Sequence, residues 1–125
     1  MNAATILIVE DNVKNMKLFR DVLQAVGYRT LEATTGGQAV ELATEHVPDL
    51  VLMDIQLPDM GGIEALDRLR AGGRTASLPV LALTAQAMEG DRERFLAAGF
   101  DGYLSKPVDV ADFVATVKRY CEGQA

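Results

Sequence analysis

The stretch LVLMD, Leu50 to Asp54, sets four apolar residues in a row and ends them on an acid. A run of that length suits a buried strand and is too short for a helix. Three further runs repeat the arrangement: Ile6 to Val9 ahead of Glu10 and Asp11, Val80 to Leu83 ahead of Thr84, and Tyr103 to Ser105 ahead of Lys106. Four strand tips thus carry three acids, a hydroxyl and an amine. In an open parallel sheet, ligands bind outside the carboxyl ends of the strands, so these side chains are placed to converge in one crevice. Their chemistry is that of a divalent cation and phosphate.

Between the runs lie helical patterns. Val13, Met16, Phe19, Val22, Leu23 and Val26 recur at steps of three and four, and Gly27 reads as the stop. Tyr28 to Ala33 alternates weakly, as a strand does at a sheet edge. Thr35 and Gln38 have capping-box spacing ahead of a helix over Gly36 to His46, which the Pro48-Asp49 turn ends. Ile63, Leu66 and Leu69 mark a third helix closed by Gly72. Met88, Phe95, Leu96 and Ala97-Ala98 mark a fourth, stopped by Gly99, and Asp109 is an N-cap for a fifth through Phe113, Val114, Val117 and Tyr120. Strand and helix alternate five times, which means an α/β fold with a parallel sheet covered on both faces. Five strands suit the flavodoxin-like doubly wound order 2-1-3-4-5, whose switch point falls between the tips that carry Glu10, Asp11 and Asp54.

A chain of 125 residues is one domain, expected over 1–125 with no effector module. A net charge of −6 argues against nucleic acid and anionic membranes as partners and leaves a protein as the expected one. Cys121 stands alone, and neither a secretion signal nor a membrane span is visible, so the cytoplasm is expected; a monomer is the default, with phosphorylation-linked dimerisation through helices four and five as the alternative. Gly36-Gly37 and Gly61-Gly62 form neither a dinucleotide fingerprint nor a phosphate loop.

Magnesium takes near-octahedral oxygen ligands, often one or two carboxylates with waters and phosphate oxygens. Asp11 and Asp54 would serve as the carboxylates, Glu10 would hold a metal-bound water, and the backbone carbonyl of Gln56, two residues past Asp54, would supply a further ligand. Three carboxylates packed together repel and raise one another's proton affinity unless a cation neutralises them. A carboxylate can attack phosphorus when cations and donors meet the phosphoryl oxygens, the role open to Lys106 and the Thr84 hydroxyl.

The strings ILIVEDN, LVLMDIQLPDMGG, LALTA and YLSKP together resemble the receiver domain of two-component response regulators, over essentially the whole chain. The resemblance implies that Asp54 accepts a phosphoryl group from a histidine kinase or histidine phosphotransfer protein, with Mg2+. It implies Asp11 as a direct metal ligand, Glu10 as the outer acid, Thr84 as the switch hydroxyl and Lys106 as the phosphate-binding lysine. Tyr103 matches the aromatic rotamer switch, and the Lys106-Pro107 bond matches one that is cis in the family. On this reading Thr84 and Tyr103 couple the site to a docking face made by helix four, strand five and helix five, while Gln56 and Gln86 tune the phosphoryl lifetime. VEDNVKNMKLF and LTAQAMEGDRERFLAAGFDGYLSKPVD resemble the single-domain DivK type, and also receivers fused to hybrid kinases.

Plainer roles stand beside these. Glu10 and Asp11 suit the positive end of a helix, Thr84 suits a strand, Lys106 a solvated surface, and Tyr103 a fixed rim aromatic. His46 near a helix C-terminus and Cys121 read as structural, and Met53, Met60 and Met88 as filler. A dehalogenase-like phosphatase with an aspartate nucleophile is the enzymatic alternative, but it wants a second aspartate where Gln56 stands. A flavodoxin-like electron carrier is disfavoured by the acidic loop after strand one, and a receiver that docks without phosphate by the complete site.

Overall fold

The computed structural model describes residues 4–85 and 90–121. Along the chain run β1 (Thr5–Val9), α1 (Val13–Ala25), β2 (Arg29–Ala33), α2 (Gly36–His46), β3 (Leu50–Asp54), α3 (Gly62–Ala71), β4 (Val80–Thr84), α4 (Asp91–Ala98), β5 (Gly102–Ser105) and α5 (Val110–Cys121). The strands pair in the order β2-β1-β3-β4-β5, every pair parallel. This is the doubly wound, flavodoxin-like order expected from the alternation, with five strands and five helices among the described residues. None of those helices is long and apolar enough to cross a membrane.

Side chains alternate across a strand, so each central strand feeds two layers. Ile6, Ile8, Leu50, Leu52, Leu81 and Leu83 face α1 and α5, meeting Met16, Phe19, Leu23, Phe113 and Val117. The rings of Phe19 and Phe113 stack with centroids 5.3 Å apart, joining the two helices. Leu7, Val9, Val51, Met53, Val80 and Ala82 face the other layer, where Ala39 and Ala43 of α2, Ala65, Leu66 and Leu69 of α3, and Phe95 of α4 close the core. Burial of each large side chain is worth roughly 1.5–3 kcal/mol. Near-continuous burial of β3 and β4 explains their unalternating apolar sequences.

The helix ends follow the chemistry of their residues. Asn12 Oδ1 accepts from the Asn15 amide at 2.9 Å at the start of α1. At its end, Gly27 lies at φ 99°, with its N–H on Gln24 O and that of Tyr28 on Leu23 O, a Schellman closure. Asp109 Oδ1 caps α5 through the Asp112 amide at 3.1 Å, as its position predicts. The α2 boundaries agree with expectation at both ends.

Several expectations shift. Val13 fits the apolar period of α1 but is 82% exposed, because it opens the first turn above the sheet's edge, and Val26 falls beyond the last helical residue as its cap. Leu96 points outward while its neighbour Phe95 is buried. Thr35 Oγ1 caps the Gln38 amide at 3.1 Å, but Gln38 Oε1 returns to the Thr34 amide at 2.8 Å, so the box closes one residue earlier than its spacing implies. Gly62 stands where no side chain fits: a Cβ there would lie 2.5 Å from Asp54 O and 2.8 Å from Ile55 Cα. His46 ends α2 with Nε2 at 2.9 Å from Glu45 Oε1, and Cys121 is half-buried against the core layer of α1 and α5. Met53 is core, Met60 lies over Gly36, and Gln86 and Met88 fall outside the described residues.

Candidate functional site

The tips of β1, β3, β4 and β5 open into one cleft of about 920 Å³, lined by Glu10, Asp11, Asp54, Gln56, Thr84 and Lys106 among others. The crossover from β1 to β3 produces this, since α1 and α3 leave those tips on opposite faces of the sheet. One ligand oxygen from each of Glu10, Asp11 and Asp54 can be chosen so that all three lie within 4.8 Å of one another. Glu10 and Asp54 are buried and Asp11 is exposed, so the cluster has a closed floor and an open side.

Lys106 enters this cluster from the end of β5. Its Nζ donates to Asp54 Oδ2 at 3.0 Å and lies 2.6 Å from Glu10 Oε1. The other oxygens are held by backbone: Asp54 Oδ1 accepts from the Gln56 amide at 3.0 Å, and Glu10 Oε2 from the Asn12 amide at 3.1 Å. Burial raises the Glu10 carboxyl above its ordinary value; Lys106 and the Asn12 amide oppose this, and the charge of Asp54 adds to it. Desolvation therefore outranks the mutual repulsion that the sequence emphasised. Burial lowers Lys106, but Glu10 and Asp54 outweigh it and hold the ammonium above its ordinary value.

The residues fit a hard cation. Glu10 Oε1 is buried without a hydrogen bond of good geometry among the described residues, its close partner being the off-angle ammonium. The oxygen keeps acceptor capacity that a divalent ion or its water would take up. Thr84 is buried at the tip of β4, and Ala85 beyond it is exposed at the cleft.

Tyr103 is not in the cleft. Its ring packs 6.0 Å from that of Phe95 at 55° and lines a neighbouring groove of about 520 Å³ between α4, β5 and α5. The Lys106-Pro107 bond is cis. Asn15, Asp91 and Arg94 also line the cleft, and sequence reading passed over them. The i,i+3 pair of Asp91 and Arg94, 3.2 Å apart, was a legible signal only once α4 was known to start beside the site.

Residues 6–118 match the family model of the response regulator receiver domain. The chain belongs to the response regulator receiver domain family. Among curated relatives, the polar-differentiation response regulator DivK of Brucella ovis is 48% identical over 93% of this chain and 94% of its own. The receiver domain of the sensor histidine kinase PA1611 from Pseudomonas aeruginosa, solved with a magnesium ion coordinated in the active site cleft, superposes with a TM-score of 0.88 at 38% identity. It covers 96% of this chain and 98% of that one. A response regulator structure from Chloroflexus aurantiacus gives a TM-score of 0.90 at 31% identity over 96% and 98% of the two chains. The receiver is a two-component signalling module of the phosphoacceptor class rather than a classical enzyme, and receivers of response regulators work with histidine kinases or phosphotransfer proteins.

Proposed function

We propose that Asp54 is the phosphoacceptor of this receiver. The observation that carries it is the buried Asp54 carboxylate at the tip of β3, held by the Gln56 amide on one oxygen and the Lys106 ammonium on the other. A carboxylate fixed in this way presents a lone pair to incoming phosphorus without searching rotamers. An Asp54 oxygen forms the new P–O bond as the P–N bond to the donor histidine breaks, and the imidazole leaves with the electron pair. Lys106 stays to meet a phosphoryl oxygen, and the Thr84 hydroxyl donates to another. Water attack on the same phosphorus later restores the carboxylate, so the domain takes part in its own loading and unloading.

Mg2+ would be held by Asp11, Asp54 and the Gln56 carbonyl, with Glu10 holding a metal-bound water. When bound, the ion supplies charge to the phosphoryl oxygens that carboxylates alone would repel. Thr84 moving toward the phosphoryl group would release space for Tyr103, passing the state of the site to the face of α4, β5 and α5, where a downstream protein docks. The packing of Tyr103 on Phe95 supports this coupling because α4 and β5 meet there.

The 48% identity to DivK over 94% of its length favours a DivK-like single-domain response regulator whose output is made by docking. A receiver fused to a hybrid histidine kinase is the second reading, favoured by the likeness to the PA1611 domain. Acetyl phosphate with and without Mg2+, followed by intact mass, tests the site. Wild type should gain one labile phosphoryl group only with Mg2+, and Asp54→Asn none. A phosphoryl group on Asp54→Asn would assign the acceptor elsewhere, and turnover of p-nitrophenyl phosphate would revive the phosphatase.

A further inference from the structure

Residues 55–61, between β3 and α3, carry the Gln56 carbonyl and are fastened at two places. Their neck is closed by the Gln56–Gly61 bridge and by the Gly62 amide on Ile55 O at 2.8 Å. Their far end is fastened to a different element. Asp59 Oδ1 accepts from the Gly36 amide at 2.8 Å and Oδ2 from the Gly37 amide at 2.9 Å. Met60 packs so closely over Gly36 that a Cβ there would fall 2.5 Å from its Cγ.

The first two amides of α2 are orphan donors that no carbonyl within the helix can reach, and Thr35 answers only the third, that of Gln38. A carboxylate from 22 or 23 residues away completes the cap and suits the positive end of the helix dipole. Between Asp59 and Gln56 stand only Leu57 and Pro58, whose ring fixes φ. Little slack separates the docked end from the carbonyl at the cleft.

We infer that Asp59 is a positioning residue for the cation and phosphoacceptor site, fastening the β3–α3 loop to the N-terminus of α2. The inference rests on the reading of the cleft given above. Asp59 touches neither ion nor phosphoryl group, and it acts through the Gln56 carbonyl. Partners that orient a ligand from outside typically change metal affinity by about 10–100-fold when removed.

The test is calorimetric titration of MgCl2 into the whole protein as wild type, Asp59→Ala, Asp59→Asn and Thr35→Ala. Thr35→Ala removes a hydrogen bond from the same helix end without touching the loop, so it reports what a merely structural role would do. Asp59→Ala should weaken Mg2+ binding by about tenfold. Asp59→Asn, which keeps the size and one acceptor, should lose about threefold and serves if the alanine variant fails to fold. Thr35→Ala should match wild type. Wild-type affinity in both Asp59 variants, or an equal loss in Thr35→Ala, would overturn the inference. Wild type that takes up no Mg2+ would instead overturn the reading of the cleft, and the inference with it.

Discussion

Replacing Gly62 by alanine places one methyl group against the backbone of Asp54, the proposed phosphoacceptor. The added Cβ meets Asp54 O at 2.5 Å, Ile55 Cα at 2.8 Å and Asp54 C at 3.2 Å, all backbone atoms at or just past the end of β3. Restoring an ordinary contact to the carbonyl oxygen requires a relative displacement of about 0.9 Å. Overpacking of this kind costs about 1–3 kcal/mol, while the helix preference of alanine over glycine returns at most about 1 kcal/mol. Net destabilisation of about 1–2 kcal/mol is expected in urea unfolding, with the slope unchanged. The larger effect falls on chemistry, since an ångström of misplacement at a reacting centre can cost on the order of 100-fold in rate. Phosphorylation by acetyl phosphate, followed by intact mass, should slow by about 10–100-fold. Gly73→Ala is the matched control: among the described residues nothing lies within 4 Å of its added Cβ, and stability should hold or rise by about 0.4–1 kcal/mol. Wild-type stability and phosphorylation rate in Gly62→Ala would refute the close-approach argument.

Phe113→Ala should destabilise by about 3–5 kcal/mol in urea, because it empties the fully buried stack on Phe19, and a loss below about 1 kcal/mol would show that α5 can collapse into the space. Arg70 donates to the carbonyls of Ala76, Leu78 and Gly99 and to Asp101 Oδ2. A lysine has one nitrogen and cannot span them, so Arg70→Lys and Arg70→Ala should each lose about 1–3 kcal/mol, and full stability in the lysine variant would refute the geometry. The Asp59 carboxyl sits below its ordinary value of 3.8, held first by the Gly36 amide and then by that of Gly37. A depressed carboxyl stabilises fully above the unfolded value, and that contribution is lost as pH falls through the folded one. The stability advantage of wild type over Asp59→Asn should therefore shrink from about pH 5 downward, and a difference that is constant with pH would contradict the assignment.

The strand tips were legible because burial on both faces leaves an unbroken apolar run that any chemistry-bearing residue must end. Helix α2 was legible at both ends because Thr35, Gly36 and the Pro48-Asp49 turn act locally. Asp59 was not, since its partners lie 22 and 23 residues earlier, and neither periodicity nor capping motifs reach that far. Two more partnerships escaped for a related reason: the hydroxyl of the buried Thr75 donates back to Leu69 O near the end of α3, and Arg70 reaches carbonyls as far as Gly99, 29 residues on. The exposure of Val13 shows the converse limit, as a residue can keep the period of a helix and still stand above the edge of the layer it should join. Tyr103 kept its spacing from Lys106 yet turned toward Phe95, a choice made by packing between α4 and β5.

Strand β5 spans four residues and, among the described strands, pairs with β4 alone. Its start is tied down by Tyr120 Oη on Asp101 O at 2.8 Å and by the Arg70–Asp101 ion pair at 3.1 Å. Beyond its end, Lys106 is anchored on Glu10, just past β1, and on Asp54 of β3. A margin secured at both extremities and thin between them comes loose by bowing rather than by peeling. Amide hydrogens at its middle then trade with solvent ahead of those of β1 and β3, which wait for the whole domain to open. Whatever changes the hold on Lys106 also resets how readily that margin bows, so the looseness of the sheet's edge becomes a report on the charge at its centre.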